Sequence, residues 1–159
     1  MYFPWIGILE QVRLCDVFIH YDDVQFSKGS FTNRVQVKQE DETTRWMTLP
    51  LQGHRLGQLI NEVQLKPKME WAGKHMDMLR NSFVNAPFKN DALELADSVL
   101  NSEYTDLQSF SRASLMALCE YFDLLEGRSF IDSGSLMLDG KSSERVLDIV
   151  VANQGTRYI

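Results

Sequence analysis

Asp16-Val17-Phe18-Ile19-His20-Tyr21, running straight into Asp22-Asp23-Val24-Gln25-Phe26, is the stretch that sets the fold class. Its first part is short, mostly apolar and rich in β-formers, the pattern of a buried strand. In open α/β sheets ligands bind beyond the carboxyl ends of parallel strands, and two adjacent acids, Asp22 and Asp23, fall at that end. Upstream, Ile8–Cys15 has helical character and is opened by the turn Pro4-Trp5-Ile6-Gly7. Downstream, Phe31–Lys38 and Thr43–Pro50 read as strands joined by the charged turn Gln39–Glu42, and Leu59–Leu65 as a third extended segment.

From Glu70 the spacing becomes helical. Trp71–Phe83 puts Trp71, His75, Met78 and Leu79 near one stripe. Asp91 is expected to cap a helix that runs to about Leu100. Asp106–Leu125 is the longest helical pattern, Arg128–Ile131 a strand, and Ser142 the cap of a helix through Ala152 with Arg145 exposed on its first turn. Gly155 stops that helix, and Thr156–Ile159 opens another strand. The expectation is therefore an α/β protein: a mixed, largely parallel Rossmann-like sheet flanked by helices, with a helical C-terminal half, in a single domain over residues 1–159. Both ends read as cut. The loop Tyr2–Trp5 has no strand before it and the last strand no helix after it, so the domain is expected to be incomplete at one or both ends.

No apolar run reaches 18 residues, so no membrane insertion is expected. The first residues lack a basic leader followed by an apolar stretch, so they do not read as a secretory signal. Cys15 and Cys119 sit in apolar helical patterns and read as buried free thiols, which fits a reducing, cytoplasmic setting. The net charge of −6 argues against a general nucleic-acid binder. It is unevenly spread: residues 28–75 carry a net +3 in an otherwise acidic chain, a middle that suits a small phosphorylated ligand. The plain alternative is scatter of surface charge. Oligomeric state leaves no mark in the sequence.

Four clusters carry candidate chemistry. Tyr2, Pro4 and Trp5, with Phe3 and Gly7, offer aromatic faces that stack on a base or sugar, or else plug the sheet. Asp22 and Asp23, followed by Gln25 and Lys28, place two acids and a cation beyond a strand. Such acids orient Mg²⁺, hold a sugar hydroxyl or take a proton from an amine, and the lysine faces a phosphate; the alternative is a capping acid pair beside a solvated lysine. Asn33 and Arg34 start a strand, where Arg recognises phosphate or carboxylate in a fork and Asn binds a hydroxyl or carbonyl; the alternative is a plain surface strand start. Lys74 and His75, after Trp71-Ala72-Gly73, bind an anion or move a proton, or are simply a helix face with a half-buried His. His20 reads as structural and His54, in the loop Gln52–Gly57, as exposed. Walker, G-x-G-x-x-G, H-E-x-x-H, C-x-x-C and G-x-S-x-G motifs are all absent, so no zinc motif or serine triad is present and no metal ligand is assigned. Mg²⁺ and ATP stay open as cofactors.

Tyr2-Phe3-Pro4-Trp5-Ile6-Gly7, Asp16-Val17-Phe18, Asp22 through Lys28, Asn33-Arg34, Thr48-Leu49-Pro50, Ile60-Asn61-Glu62, Trp71 through His75 with Ala86-Pro87-Phe88, and Ser143-Glu144-Arg145 stand in an order that resembles the WbqC-like family of bacterial proteins. Members of that family begin with a short strand and a Gln-Pro pair before the Tyr-Phe-Pro-Trp segment, and continue past the last strand with a Ser-Gly-rich loop. The family is associated with polysaccharide and O-antigen gene clusters. The resemblance implies an enzyme of lipopolysaccharide biosynthesis, a transferase or ligase working on a nucleotide-linked amino sugar, for example by glycyl or acyl transfer to the sugar amine. On that reading Asp22, Asp23 and Lys28 are catalytic, and Tyr2, Pro4, Trp5, Gln25, Asn33, Arg34, Lys74 and His75 bind a sugar nucleotide or similar phosphorylated substrate. Two other readings stand beside it: a non-catalytic sugar-nucleotide-binding or scaffold module, and a HUP-like nucleotidyltransferase. The Tyr2–Trp5 segment is similar in position to the nucleotide motif of the last group but lacks its histidines.

Overall fold

The computed structural model describes all residues, 1–159. Five α-helices are present: α1 (Ile6–Leu14), α2 (Ala72–Ser82), α3 (Lys89–Asn101), α4 (Leu107–Tyr121) and α5 (Ser142–Ala152). Six short strands, β1 (Val17–His20), β2 (Arg34–Lys38), β3 (Thr44–Thr48), β4 (Leu51–Gln52), β5 (Gln64–Leu65) and β6 (Ser129–Asp132), form three two-stranded sheets. β1 and β6 are parallel, in the register Val17↔Ser129 to His20↔Asp132, whereas β2–β3 and β4–β5 are antiparallel. Short 3-10 turns cover Ile60–Glu62, Lys68–Glu70 and Ser133–Leu136.

The fold is mixed α/β with a largely helical second half, but the expected Rossmann-like sheet does not form. The reason lies in the connections. The four-residue turn Gln39–Glu42 is closed by Gln39 N–H on the Thr43 carbonyl and by Asp41 accepting from Thr43 N–H at 3.0 Å, and so tight a turn returns the chain antiparallel. β1, expected to be one of several parallel strands, pairs along one edge only. Thr156–Ile159 is not a strand either: it has no strand beside it to receive its backbone groups, and all four residues are exposed. Gln154, at φ 54°, and Gly155, whose N–H bonds the Val150 carbonyl at 2.8 Å, end α5 before it. Asp91 lies in the first turn of α3 rather than at its cap, which is Phe88. Asp106 does cap α4, its carboxylate accepting from Ser109 N–H at 2.7 Å.

Two apolar cores hold these pieces. The larger joins the β2–β3 hairpin to α2, α3 and α4 through Met47, Leu49, Val63, Leu107 and Phe110, each at most 1% exposed. The smaller packs Leu9 and Val12 of α1 on Leu115 and Cys119 of α4, with Phe18 and Phe130 of the parallel pair against them. Cys119 is buried and Cys15 half-buried, both as free thiols. No helix is long and apolar enough to cross a membrane. Because α4 belongs to both cores, its polar flank is carried to the carboxyl ends of β1 and β6.

Candidate functional site

The parallel register ends with His20 beside Asp132, and the chain then leaves through Tyr21-Asp22-Asp23 on one strand and Ser133 on the other. Onto these ends α4 projects Arg112. Its guanidinium grips Asp22 in a fork, Nε to Oδ2 at 2.9 Å and Nη2 to Oδ1 at 3.0 Å, and reaches Asp132 through Nη1 at 2.7 Å. α5 projects Arg145 onto the Asp23 carboxylate and over the Tyr21 ring, 5.3 Å from its centroid. Ser133 hydrogen-bonds the other Asp23 oxygen and lies 3.0 Å from the His20 carbonyl.

The charges respond as this geometry requires. Burial works to raise the Asp23 pKa, but hydrogen bonds from Ser133 and Arg145 outweigh it and hold the carboxyl below its usual range. Burial likewise opposes the charge on Arg112, and the Asp22 and Asp132 carboxylates more than restore it. His20 is pushed down, first by burial and then by Arg112. The cluster therefore holds three carboxylates against two guanidinium groups, a surplus of one negative charge.

A cavity of about 170 Å³ opens beside it, lined by Pro4, Ile8, His20, Asp22, Ser111 and Arg112 among others. The Ser111 hydroxyl is buried and has no hydrogen-bond partner. A larger groove of about 750 Å³, of mixed polar and apolar lining, runs between α1, β1 and α5 and shares Phe18, Ile19 and Tyr21 with the cavity. No group of three or more His, Cys, Asp or Glu side chains is placed to hold a metal ion. Both oxygens of Asp22 and of Asp23 are already engaged, so a divalent cation would have to displace an arginine. These donors do not fit a resident Mg²⁺.

A family model described as the WbqC-like protein family matches residues 1–159. This chain belongs to the WbqC-like family. It is similar to the uncharacterized protein Rv1507c of Mycobacterium tuberculosis, 30% identical over 160 residues, which cover 99% of this chain and 68% of that one. No solved structure matches.

In this WbqC-like chain the expected site residues are distributed unevenly. Asp22 and Pro4 line the cavity and Asp23 stands beside it. Tyr2 and His75 do not reach it: they are buried, and Tyr2 Oη hydrogen-bonds His75 Nδ1 at 2.7 Å inside the larger core. Burial pushes the Tyr2 phenol up and lowers the His75 pKa to about 4. Asn33 is buried and spends its amide on the Leu49 carbonyl, tying β2 to the segment after β3. Gln25, Lys28, Trp5 and Lys74 are exposed. Arg34 lies over Trp46 and donates to the Gly29 carbonyl. The cations that meet the two acids are thus Arg112 and Arg145, not Lys28 and Arg34. Arg145, expected to be exposed, has a side chain only 12% exposed, because Asp23 and Tyr21 draw it inward. His54, also expected to be exposed, is half-buried against Phe26. Arg112, Asp132, Ser133 and Ser111 were not anticipated. Asp132-Ser133 carries the same signal that marked Asp22-Asp23, polar residues at the carboxyl end of an apolar strand. Arg112 was visible as a cation set among Phe110, Leu115 and Leu118 in the longest apolar helix.

Proposed function

We propose that this WbqC-like chain binds a nucleotide-linked amino sugar at the Asp22–Arg112–Asp132 cluster and promotes acyl transfer to the sugar amine, as a step in bacterial surface-polysaccharide assembly. The observation that carries the reading is the surplus negative charge of a three-carboxylate, two-guanidinium cluster whose Asp22 and Arg112 line a small, mostly apolar cavity. A protonated amine about 4 Å from one unbalanced carboxylate gains about 4 kcal/mol at an effective dielectric near 20, before its own desolvation is counted. The cavity is smaller than the roughly 300 Å³ that marks the lower bound for drug-sized ligands. It suits one sugar ring or a short acyl group, with the nucleotide lying outside.

Asp132 is the most open carboxylate of the cluster, its side chain 49% exposed, and is the amine's partner and proton acceptor in this scheme; Asp22, both oxygens held by Arg112, fixes that guanidinium. The ammonium gives a proton to the carboxylate, and its freed electron pair attacks the carbonyl carbon of an activated acyl donor. The nitrogen then loses its second proton to the departing group, which leaves with the electron pair of its bond to the acyl carbon as the amide forms. Ser111 hydrogen-bonds the sugar or acyl oxygen. Lys28, outside the cavity, is free to face the phosphates. Thermal-shift measurements against dTDP- and UDP-linked amino sugars test the reading. At least one is expected to raise the melting temperature in the wild type and to lose most of that effect in Asp132→Asn, an isosteric change at a half-exposed side chain. Absence of any shift across the panel contradicts it.

A second reading, a non-catalytic ligand-binding module, draws on the complete engagement of Asp23, which acts as a strut between β1, β6 and α5. It predicts the same binding with no product formed when an activated acyl donor is supplied.

A further inference from the structure

The outward face of the β2–β3 hairpin carries aromatic surface that neither core explains. Phe31 and Trp46 are 50% and 41% exposed, with ring centroids 5.5 Å apart and planes at 51°. Their neighbours on the same face, Gln36, Lys38 and Thr44, are polar. Arg34 lays its guanidinium over the indole, 4.0 Å from the ring centroid. No carboxylate lies within ion-pair distance of Arg34, and its shielded Nε has no hydrogen-bond partner. This is an unpaired cation fixed on an aromatic platform. It stands next to the cavity in the chain: Thr32 lines the cavity wall, is held by Tyr2 N–H on its carbonyl at 2.9 Å, and directly follows Phe31.

A ligand that matches both halves must present a flat π-face and an anion close together. A neutral pyranose covers a ring but leaves the guanidinium unmatched, whereas a nucleoside diphosphate satisfies both, its base stacking on an exposed ring face and its phosphates meeting the edge of the Arg34 guanidinium that the Gly29 carbonyl leaves free. We propose that Phe31, Trp46 and Arg34 form a nucleoside-diphosphate subsite adjoining the cavity. The inference deepens the functional reading above and rests on it for the identity of the whole substrate.

The test is calorimetric titration of the full chain with UDP, dTDP, uridine and glucosamine 1-phosphate. A nucleoside diphosphate is expected to bind on its own, and Phe31→Ala and Trp46→Ala each to weaken it by about tenfold, within the range measured for base–aromatic stacking. Trp46→Phe keeps a ring and should retain most of the affinity, which separates lost stacking from a folding defect. Arg34→Ala should cost more for UDP than for uridine, and Phe31→Ala should leave glucosamine 1-phosphate unaffected. Unchanged UDP affinity in both alanine variants overturns the subsite. So does binding of the sugar phosphate without any nucleoside diphosphate, although that result leaves the amino-sugar reading standing. Binding of none of the four ligands removes both.

Discussion

Arg145 and Asp23 show how single residues set the energetics of the site. Their side chains are 12% and 17% exposed, so removing one leaves the other charged and largely out of water. Arg145→Ala is expected to cost about 2–4 kcal/mol in urea unfolding, and the double change Arg145→Met with Asp23→Leu less than the sum of the single ones. His75 makes a pH-dependent contribution of opposite origin. It binds a proton more weakly when folded, with a pKa of about 4, than when unfolded, at 6.5, because burial disfavours the imidazolium. The unfolded chain therefore holds more protons below pH 6.5. Stability should be complete above that value and fall by about 3 kcal/mol as the pH drops towards 4. In His75→Gln this part of the acid dependence should vanish, leaving a flatter stability curve between pH 6.5 and 4. A wild-type curve already flat over that interval would contradict a buried neutral histidine. The sequence marked His75 as notable but not its partner, since Tyr2 lies 73 positions away and their contact is a property of the packed core.

At the scale of elements, local chemistry was legible wherever a local signal existed. Asp106 precedes the longest apolar helical pattern and does cap it; Asp106→Ala should destabilise the chain by about 1 kcal/mol, read by thermal or urea unfolding. Asp91 carried the same kind of signal, yet α3 starts two residues earlier, on a backbone turn in which Lys89 N–H meets the Ala86 carbonyl at 3.3 Å. A backbone turn needs no particular side chain and leaves no trace in residue types. α1 offers a sharper test. A Cβ placed on Gly7 would come within 2.3 Å of the Trp5 ring, which lies across the first turn while remaining 62% exposed. Gly7→Ala should leave stability within about 1 kcal/mol of wild type, since the alanine favours the helix and the ring is free to swing away. It should nevertheless change the tryptophan emission and its quenching by iodide. Unaltered fluorescence would mean that the ring does not rest on Gly7.

For the whole molecule, the alternation of strand and helix revealed the α/β class but not the number of strands that pair. Residues 16–21 are as apolar as a central strand, yet only Ser129–Asp132 lies beside β1, and pairing over such a distance in sequence is invisible to any local window. The site was half legible for the same reason. Asp22 and Asp23 stood out because they end an apolar strand, whereas the arginines that determine their charge come from helices some 90 and 122 positions further on. Those arginines leave the cluster one negative charge in surplus, and the proposed preference for an amine follows from that imbalance. The most direct measurement is calorimetric titration of the chain with a UDP-linked amino sugar and with its N-acetylated counterpart, which differ at the amine alone. The charge imbalance predicts that the free amine binds at least tenfold more tightly and that Asp132→Asn abolishes the preference. Equal affinity for the two sugars, or tighter binding of the acetylated one, would contradict it.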